Sequence, residues 1–174
     1  MTSTKLREAE LIERFVSAFG KLGHLREGNL PVRIGADAKS LEPLYAKLPM
    51  RFPRLYERLL LSYRWEEVDI GSCTLLANPA GPDVAGLFNE MSKDRALWDA
   101  LIPVGYIQFA RGSTGASYDP VCFDTSALRK NRDCRVVRID HEQILCYDRI
   151  KIIAEVAPSF RQLMVDAIEA VNAV

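Results

Sequence analysis

The stretch of sequence that decides the fold is IPVGYIQFARGSTGASYDPVCFDTSALRKNRDCRVVRIDH, residues 102–141. Its apolar side chains recur with a period of about two, which is typical of β-strands. We expect one strand to begin at residue 102 and another to span 134–140. Between them, Pro120 lacks a backbone donor, so that strand either begins at Val121 or lies at a sheet edge. Short strands joined by short links pair most easily in antiparallel fashion, which predicts an antiparallel sheet.

Segments with helical periodicity flank this stretch on both sides. Apolar residues recur at helical spacing in 4–22 and 53–63, and a strand-like run follows at 68–77. Ser159 and Gln162 have the spacing of a capping box ahead of an apolar stripe, which predicts a C-terminal helix. The order of these elements predicts an α+β fold. We expect a single, mainly antiparallel (mixed) sheet of about five to six strands, with helices packed on one face and at both chain ends.

Length and composition indicate a single domain. A chain of 174 residues, of which 48% are hydrophobic, is long enough to form a contiguous core. We predict one domain over 1–174, with an N-terminal helix and loop extension at 1–35 and the core at 40–174. Lys plus Arg and Asp plus Glu number 23 each, so the formal net charge is zero. Long-range attraction of the whole molecule to nucleic acid or to anionic lipid is therefore not expected.

The N-terminus and the cysteines indicate a soluble, cytoplasmic protein. The first residues, MTSTKLRE, lack the apolar segment of a secretory signal. No apolar run reaches the roughly 18 residues of a membrane span. The cysteines lie in apolar or strand-like contexts, which predicts buried thiols rather than disulfides in a reducing compartment: Cys73, Cys122, Cys134 and Cys146.

An ordered set of residues over about 40–170 resembles one known family. The set comprises Leu48-Pro49, the helix LYERLLLSY at 55–63, Trp65, Trp98 ahead of IPVG at 102–105, Asp119, the strand at 136–141, and Ser159-Phe160. Together these residues resemble the SUKH superfamily of Smi/Knr-type and Syd-like proteins. After its Ile-Pro-Val-Gly strand the family tends to show a compact Gly-Asp step, whereas this chain has a longer loop over 108–119.

The resemblance implies a non-enzymatic interaction domain, in bacteria often an immunity protein that binds and neutralises a cognate toxin. Other members of the family are regulatory binding modules, so a regulatory module that binds a small ligand or a cell-wall-related protein is a further alternative for this chain. Under the immunity hypothesis the partner is a protein, and no nucleic acid, membrane or cofactor takes part. Trp65, Tyr118 and Asp119 are the candidate binding residues, because aromatic residues are enriched at interface hot spots and Asp119 matches the family's aspartate. Trp65 fits the edge of the core equally well. The oligomeric state stays open.

A small cysteine-dependent hydrolase or transferase is the alternative from a different class. Cys146 would be the nucleophile and His141 the base, oriented by Asp140 or Asp148. His141 is more simply explained as the end of a strand. The sequence places no helix N-terminus after Cys146 that would activate its thiol.

Three further patterns carry less information. A zinc site needs a close pair such as Cys-x₂₋₄-Cys, and the cysteines with His141 offer none, so no metal is predicted. GSTG at 112–115 lacks the lysine of a phosphate-binding loop and the helix that should follow. A local basic cluster could meet an acidic partner surface, although such links between strands are usually solvated. Its members are Arg129, Lys130, Arg132, Arg135 and Arg138.

Overall fold

The computed structural model describes residues 7–22, 30–81, 83–113, 118–128 and 132–173. The α-helices are α1 (Glu8–Leu22), α2 (Glu42–Tyr45), α3 (Arg54–Ser62), α4 (Ala85–Met91), α5 (Arg95–Leu101), α6 (His141–Tyr147) and α7 (Phe160–Asn172). The strands are β1 (Val32–Arg33), β2 (Tyr63–Arg64), β3 (Val68–Asp69), β4 (Thr74–Leu75), β5 (Tyr106–Arg111), β6 (Pro120–Asp124), β7 (Val136–Ile139) and β8 (Ile152–Ala157). Short 3₁₀ helices occur at Ala38–Leu41, Ile102–Val104 and Thr125–Ala127. Of the described helices, none has the length and apolar character needed to cross a bilayer.

Strands β3 to β8 form one antiparallel sheet in which each strand pairs with its neighbour in sequence. β1 and β2 pair separately as a two-stranded sheet. Helices α1 and α7 lie at the two ends of the chain. The predicted α+β fold, with a sheet of five to six strands and helices at both ends, is confirmed.

Two segments that were predicted as strands have a different local structure. Ile102–Val104 forms a 3₁₀ helix, since Pro103 fits the first turn of a helix, and Gly105 ends it with a φ of 88°. The strand therefore begins only at Tyr106. The run 68–77 is a hairpin of β3 and β4 rather than one strand, and Gly71 takes the positive φ of 89° in its turn.

The larger core lies on one face of the sheet and is rich in aromatic rings. Phe109 of β5 and Phe123 of β6 stack at 3.9 Å between ring centroids. Tyr56 of α3 and Phe160 of α7 meet this pair edge-on, at 5.1–5.8 Å. Edge-to-face and stacked rings add to the free energy already provided by apolar burial. The central strands and the two helices are therefore held together through one aromatic cluster.

A smaller apolar layer lies on the opposite face of the sheet and adds to the predicted arrangement. Successive residues of a strand point to opposite faces, so Cys122 points away from Phe123 and Val137 away from Val136. These outward residues form a second core with Ile139 of β7, with Leu97 and Leu101 of α5, and with Ile144 of α6. α5 and α6 have seven residues each and cover only part of this face.

Helix α1 belongs to the same core as the rest of the chain. Leu11, Phe15 and Phe19 are fully buried. The ring of Phe15 lies 6.3 Å from that of Phe160, and the ring of Phe19 lies 6.2 Å from that of Trp65. The N-terminal helix therefore shares its hydrophobic core with residues beyond 40.

Candidate functional site

Trp65, the first predicted binding residue, lies in the core. Its side chain is 3% exposed, and its indole N–H donates a hydrogen bond to the carbonyl of Leu76 at 3.0 Å. Its ring packs against Phe19. Because the indole is enclosed and its N–H is satisfied, Trp65 offers no contact surface to a partner.

Tyr118 and Asp119 precede β6 and lie beside the N-terminus of α6. Tyr118 is 66% exposed, and its ring centroid is 6.2 Å from that of His141. Asp119 Oδ1 lies 2.8 Å from Nδ1 of His141 and also accepts the backbone N–H of that residue at 3.2 Å. Arg138 Nε approaches Asp119 Oδ2 at 3.9 Å. The structure thus brings two of the three predicted binding residues together with His141, and it places Trp65 in the core.

His141 begins a helix instead of ending a strand, and Asp140 explains why. Asp140 has extended backbone dihedrals, and its side chain accepts the N–H of Gln143, which is the hydrogen bond of an N-cap. The cap starts α6 at His141 and directs its imidazole toward Asp119. The sequence contains this N-cap signal, since Asp140 precedes Gln143 by three residues. It was not recognised because it directly follows a strand-like run.

Asp119, Asp140 and His141 are the described residues whose ligand atoms could reach a common metal ion. Those atoms all lie within 4.8 Å of one another. However, each carboxylate already accepts hydrogen bonds, and the guanidinium of Arg138 adds a positive charge beside Asp119. The observed contacts make this cluster a polar junction between β6 and α6.

A cleft of about 350 Å³ opens on the sheet face beside Tyr118. We call it the Tyr118 cleft. It is lined by Glu67, Leu76, Glu90, Lys93, Asp94, Leu97, Gln108, Arg111 and Tyr118. A volume of this size matches the lower range of ligand pockets in proteins.

A β-bulge in β5 shapes this cleft. In a regular strand, Gln108 and Arg111 would point to opposite faces, since an odd number of steps separates them. The register of β5 against β6 shifts between Gln108 and Ala110, and this extra residue lets both side chains line the cleft. A bulge cannot be recognised from strict alternation of apolar residues in the sequence. Neither Gln108 nor Arg111 was therefore predicted to line a site.

The charges of the cleft are partly paired with one another. Arg111 forms a two-point ion pair with Glu67, with Nε donating to Oε2 at 3.2 Å and Nη2 donating to Oε1. The hydrogen bond to Glu67 raises the pKa of Arg111. Lys93 Nζ lies 3.8 Å from Glu90 Oε2. Asp94 Oδ1 caps α5 by accepting the N–H of Leu97 at 3.1 Å.

The cysteine–histidine pair of the enzyme alternative does not meet. Five residues along an α-helix correspond to about 500° of rotation, so Cys146 and His141 point from α6 in directions about 140° apart. Within the described part of the chain no hydrogen bond joins them, and the His141 ring is bonded to Asp119. Cys146 is exposed, which corrects the prediction that all four thiols are buried. It lies near the C-terminal end of a surface helix, where the apolar residue that faces inward is Ile144.

The basic cluster and the glycine-rich loop lie only partly within the described residues. Arg129, Lys130, Thr114 and Gly115 lie outside them. The remaining arginines of the cluster each face a carboxylate: Arg132 with Glu57 at 3.2 Å, Arg135 with Asp124 at 2.8 Å, and Arg138 with Asp119 at 3.9 Å. In the loop, the Ser113 hydroxyl donates to the carbonyl of Gly71 at 2.8 Å.

A second exposed surface lies along α6 and the edge strand β8, and its exposed apolar residues are not among the predicted binding residues. Large apolar side chains are exposed here: Leu145, Tyr147, Ile150, Ile152 and Ile153. β8 is the last strand of the sheet, and its register against β7 shifts twice. Bulges of this kind, with a charged residue such as Glu155, are typical of edge strands protected from pairing with another chain.

Comparison of the sequence with protein-family models and with curated proteins gave no match.

Proposed function

We propose that this chain is a non-catalytic protein-binding domain whose partner inserts a side chain into the Tyr118 cleft. The observation that carries the proposal is a tyrosine ring, 66% exposed, standing at the border of a cleft of about 350 Å³. Tyrosine is among the residues that dominate binding energy at protein interfaces, because it contributes a large rigid surface with a polar end. Asp119 supports this ring indirectly, since it anchors His141 against which Tyr118 packs.

The resemblance to the SUKH superfamily makes the proposal more specific. Under it, the partner is a toxin domain that the chain neutralises in the cytoplasm as an immunity protein. A zero net charge agrees with recognition by local complementarity rather than by a strong field around the whole molecule.

The test is co-expression with the products of the neighbouring genes, followed by calorimetric titration of any complex that forms. Tyr118→Ala should weaken binding about 30-fold or more, the effect of losing a hot-spot residue worth about 2 kcal/mol. Tyr147→Ala is the matched control, because Tyr147 is 62% exposed on α6 and does not line the cleft.

Three outcomes would contradict the proposal. Unchanged affinity of Tyr118→Ala would remove the cleft from the interface. A loss confined to Tyr147→Ala would move the interface to the surface along α6 and β8. Absence of any complex with the neighbouring gene products would count against the immunity role.

A further inference from the structure

We infer that the Tyr118 cleft accepts a basic side chain, arginine or lysine, of the partner protein. This inference rests on the proposed function and names the chemistry that the cleft recognises. It is supported by the charge balance of the cleft, by the ring of Tyr118 and by the apolar residues of the lining.

Carboxylates outnumber cations in the cleft. Its lining contains three carboxylates (Glu67, Glu90 and Asp94) and two cations (Lys93 and Arg111), which gives a formal charge of minus one. Arg111 and Glu67 neutralise each other through their two-point ion pair. This leaves two carboxylates, those of Glu90 and Asp94, against the single ammonium of Lys93.

Lys93, the remaining cation of the lining, is weakly held by Glu90. The Lys93 side chain is 77% exposed, and its contact with Glu90 spans 3.8 Å between neighbours three residues apart. Exposed pairs of this kind contribute little free energy, so an incoming cation can displace Lys93 from Glu90. Asp94 uses Oδ1 to cap α5, and its other oxygen has no hydrogen-bond partner among the described residues.

The uncharged residues of the cleft match the rest of a basic side chain. Lysine and arginine pair a charged head with an aliphatic stem that packs on apolar surface. Leu76 and Leu97 supply that apolar surface in the lining, and the exposed ring of Tyr118 lies in the same lining as an aromatic partner for the charged head. Attraction between a cation and an aromatic ring is about 0.5–1 kcal/mol at an exposed site, or about two- to fivefold in affinity.

The direct test uses a small probe and the whole chain. N-acetyl-L-argininamide is titrated against the ¹⁵N-labelled protein, with its neutral isostere N-acetyl-L-citrullinamide and the acidic N-acetyl-L-glutamate amide as comparisons. We expect the arginine probe to shift the resonances of Gln108, Arg111 and Leu97, and to bind at least about threefold more tightly than the citrulline probe. Equal binding of the arginine and citrulline probes, or preferred binding of the acidic probe, would overturn the inference.

Two variants that each remove one negative charge test whether the carboxylates of the cleft bind the basic probe, and both are chosen to preserve the fold. Asp94→Asn keeps an N-cap for α5, since asparagine caps helices as well as aspartate does. Glu90→Gln preserves the shape of the side chain. We expect each to weaken the arginine probe about two- to fivefold, and Asp99→Asn, on α5 but outside the cleft lining, to leave it unchanged.

The natural partner separates failure of this inference from failure of the proposed function. If Tyr118→Ala abolishes partner binding while Glu90→Gln and Asp94→Asn leave it unchanged, the cleft binds the partner but does not bind a basic side chain. If Tyr118→Ala has no effect on the partner, the proposed function itself fails.

Discussion

Tyr56 has a hydroxyl group that is fully buried and has no hydrogen-bond partner among the described residues. Its ring lies among Phe52, Phe109, Phe123 and Phe160, at 5.1–5.5 Å between centroids. A buried polar group without a partner costs about 1–3 kcal/mol relative to its hydrated state. The ring of Tyr56 therefore stabilises the core while its hydroxyl opposes that effect.

We expect Tyr56→Phe to raise the free energy of unfolding by about 1 kcal/mol, because it removes the unpaired hydroxyl and retains the ring. Tyr45→Phe is the matched control: the Tyr45 hydroxyl donates to Glu57 at 2.6 Å, so its removal should lower stability by about 1 kcal/mol. Urea unfolding followed by circular dichroism measures both. A destabilised Tyr56→Phe variant would show that the hydroxyl is satisfied in solution.

The four cysteines differ in exposure, which predicts their reactivity toward a thiol reagent. Cys73, Cys122 and Cys134 are buried, and only Cys146 of the four is exposed. Burial raises the pKa of Cys73 to about 12 and also raises that of Cys122, so these two thiols form little thiolate at neutral pH. Ellman's reagent should titrate one thiol rapidly in the native protein and four after unfolding. Cys146→Ser should abolish the rapid phase, and a rapid phase that persists would contradict the burial pattern.

At the scale of elements, one carboxylate joins the segment ahead of β7 to the start of α7. Asp133 Oδ1 accepts the N–H groups of Cys134 and Phe160, each at 2.9 Å, and Oδ2 accepts that of Arg161 at 3.4 Å. Ser159 caps the same helix by accepting the N–H of Gln162 at 3.0 Å, as the capping box predicted. Asp133 thus connects two elements, whereas the hydrogen bonds of Ser159 to the described residues lie within α7.

We therefore expect Asp133→Ala to cost more stability than Ser159→Ala. Loss of a cap costs about 1 kcal/mol, whereas loss of Asp133 removes hydrogen bonds to three backbone N–H groups, two of them buried, and should cost about 2–4 kcal/mol. Chemical denaturation of both variants measures the difference. Equal effects would show that α7 docks against the sheet without the Asp133 contacts.

For the whole molecule, the tyrosines with raised pKa values should make the free energy of unfolding fall at alkaline pH. Burial is the largest cause of a raised pKa at Tyr45, Tyr56, Tyr63 and Tyr106. In the unfolded chain a tyrosine ionises near pH 10, so above that pH the unfolded state binds fewer protons than the folded state. Stability is then fully present below about pH 10 and decreases as the pH rises toward the folded-state values.

Denaturation midpoints measured at pH 8 and at intervals up to pH 11.5 test this dependence. We expect the free energy of unfolding to fall steadily above about pH 10, and to fall less steeply in Tyr56→Phe, which has one fewer buried phenol. Tyrosinate absorbance near 295 nm should rise together with unfolding for these four residues. Full ionisation near pH 10 in a protein that stays folded would contradict their burial.

Elements whose signal is local were predictable from the sequence. The stripe in 4–22 and the Ser159–Gln162 capping box correspond to α1 and α7, because periodicity and capping depend on residues within a turn or two of each other. α6 was not predicted, since seven residues after a strand are too short to display a helical period. The 3₁₀ helix at Ile102–Val104 was not predicted either, because its apolar residues alternate as they do in a strand.

The sequence by itself determined the α+β class, the antiparallel sheet and the helices at both ends, since these follow from local apolar patterns and from short links between strands. Only the tertiary structure decided that Trp65 is enclosed, that Tyr118 and Asp119 meet His141, and that a bulge directs Gln108 and Arg111 into one cleft. The residues of that cleft come from positions between 67 and 118, and strand register and helix placement bring them together. Neither register nor packing is encoded in any single stretch of the chain, because both depend on which distant surfaces exclude water from one another.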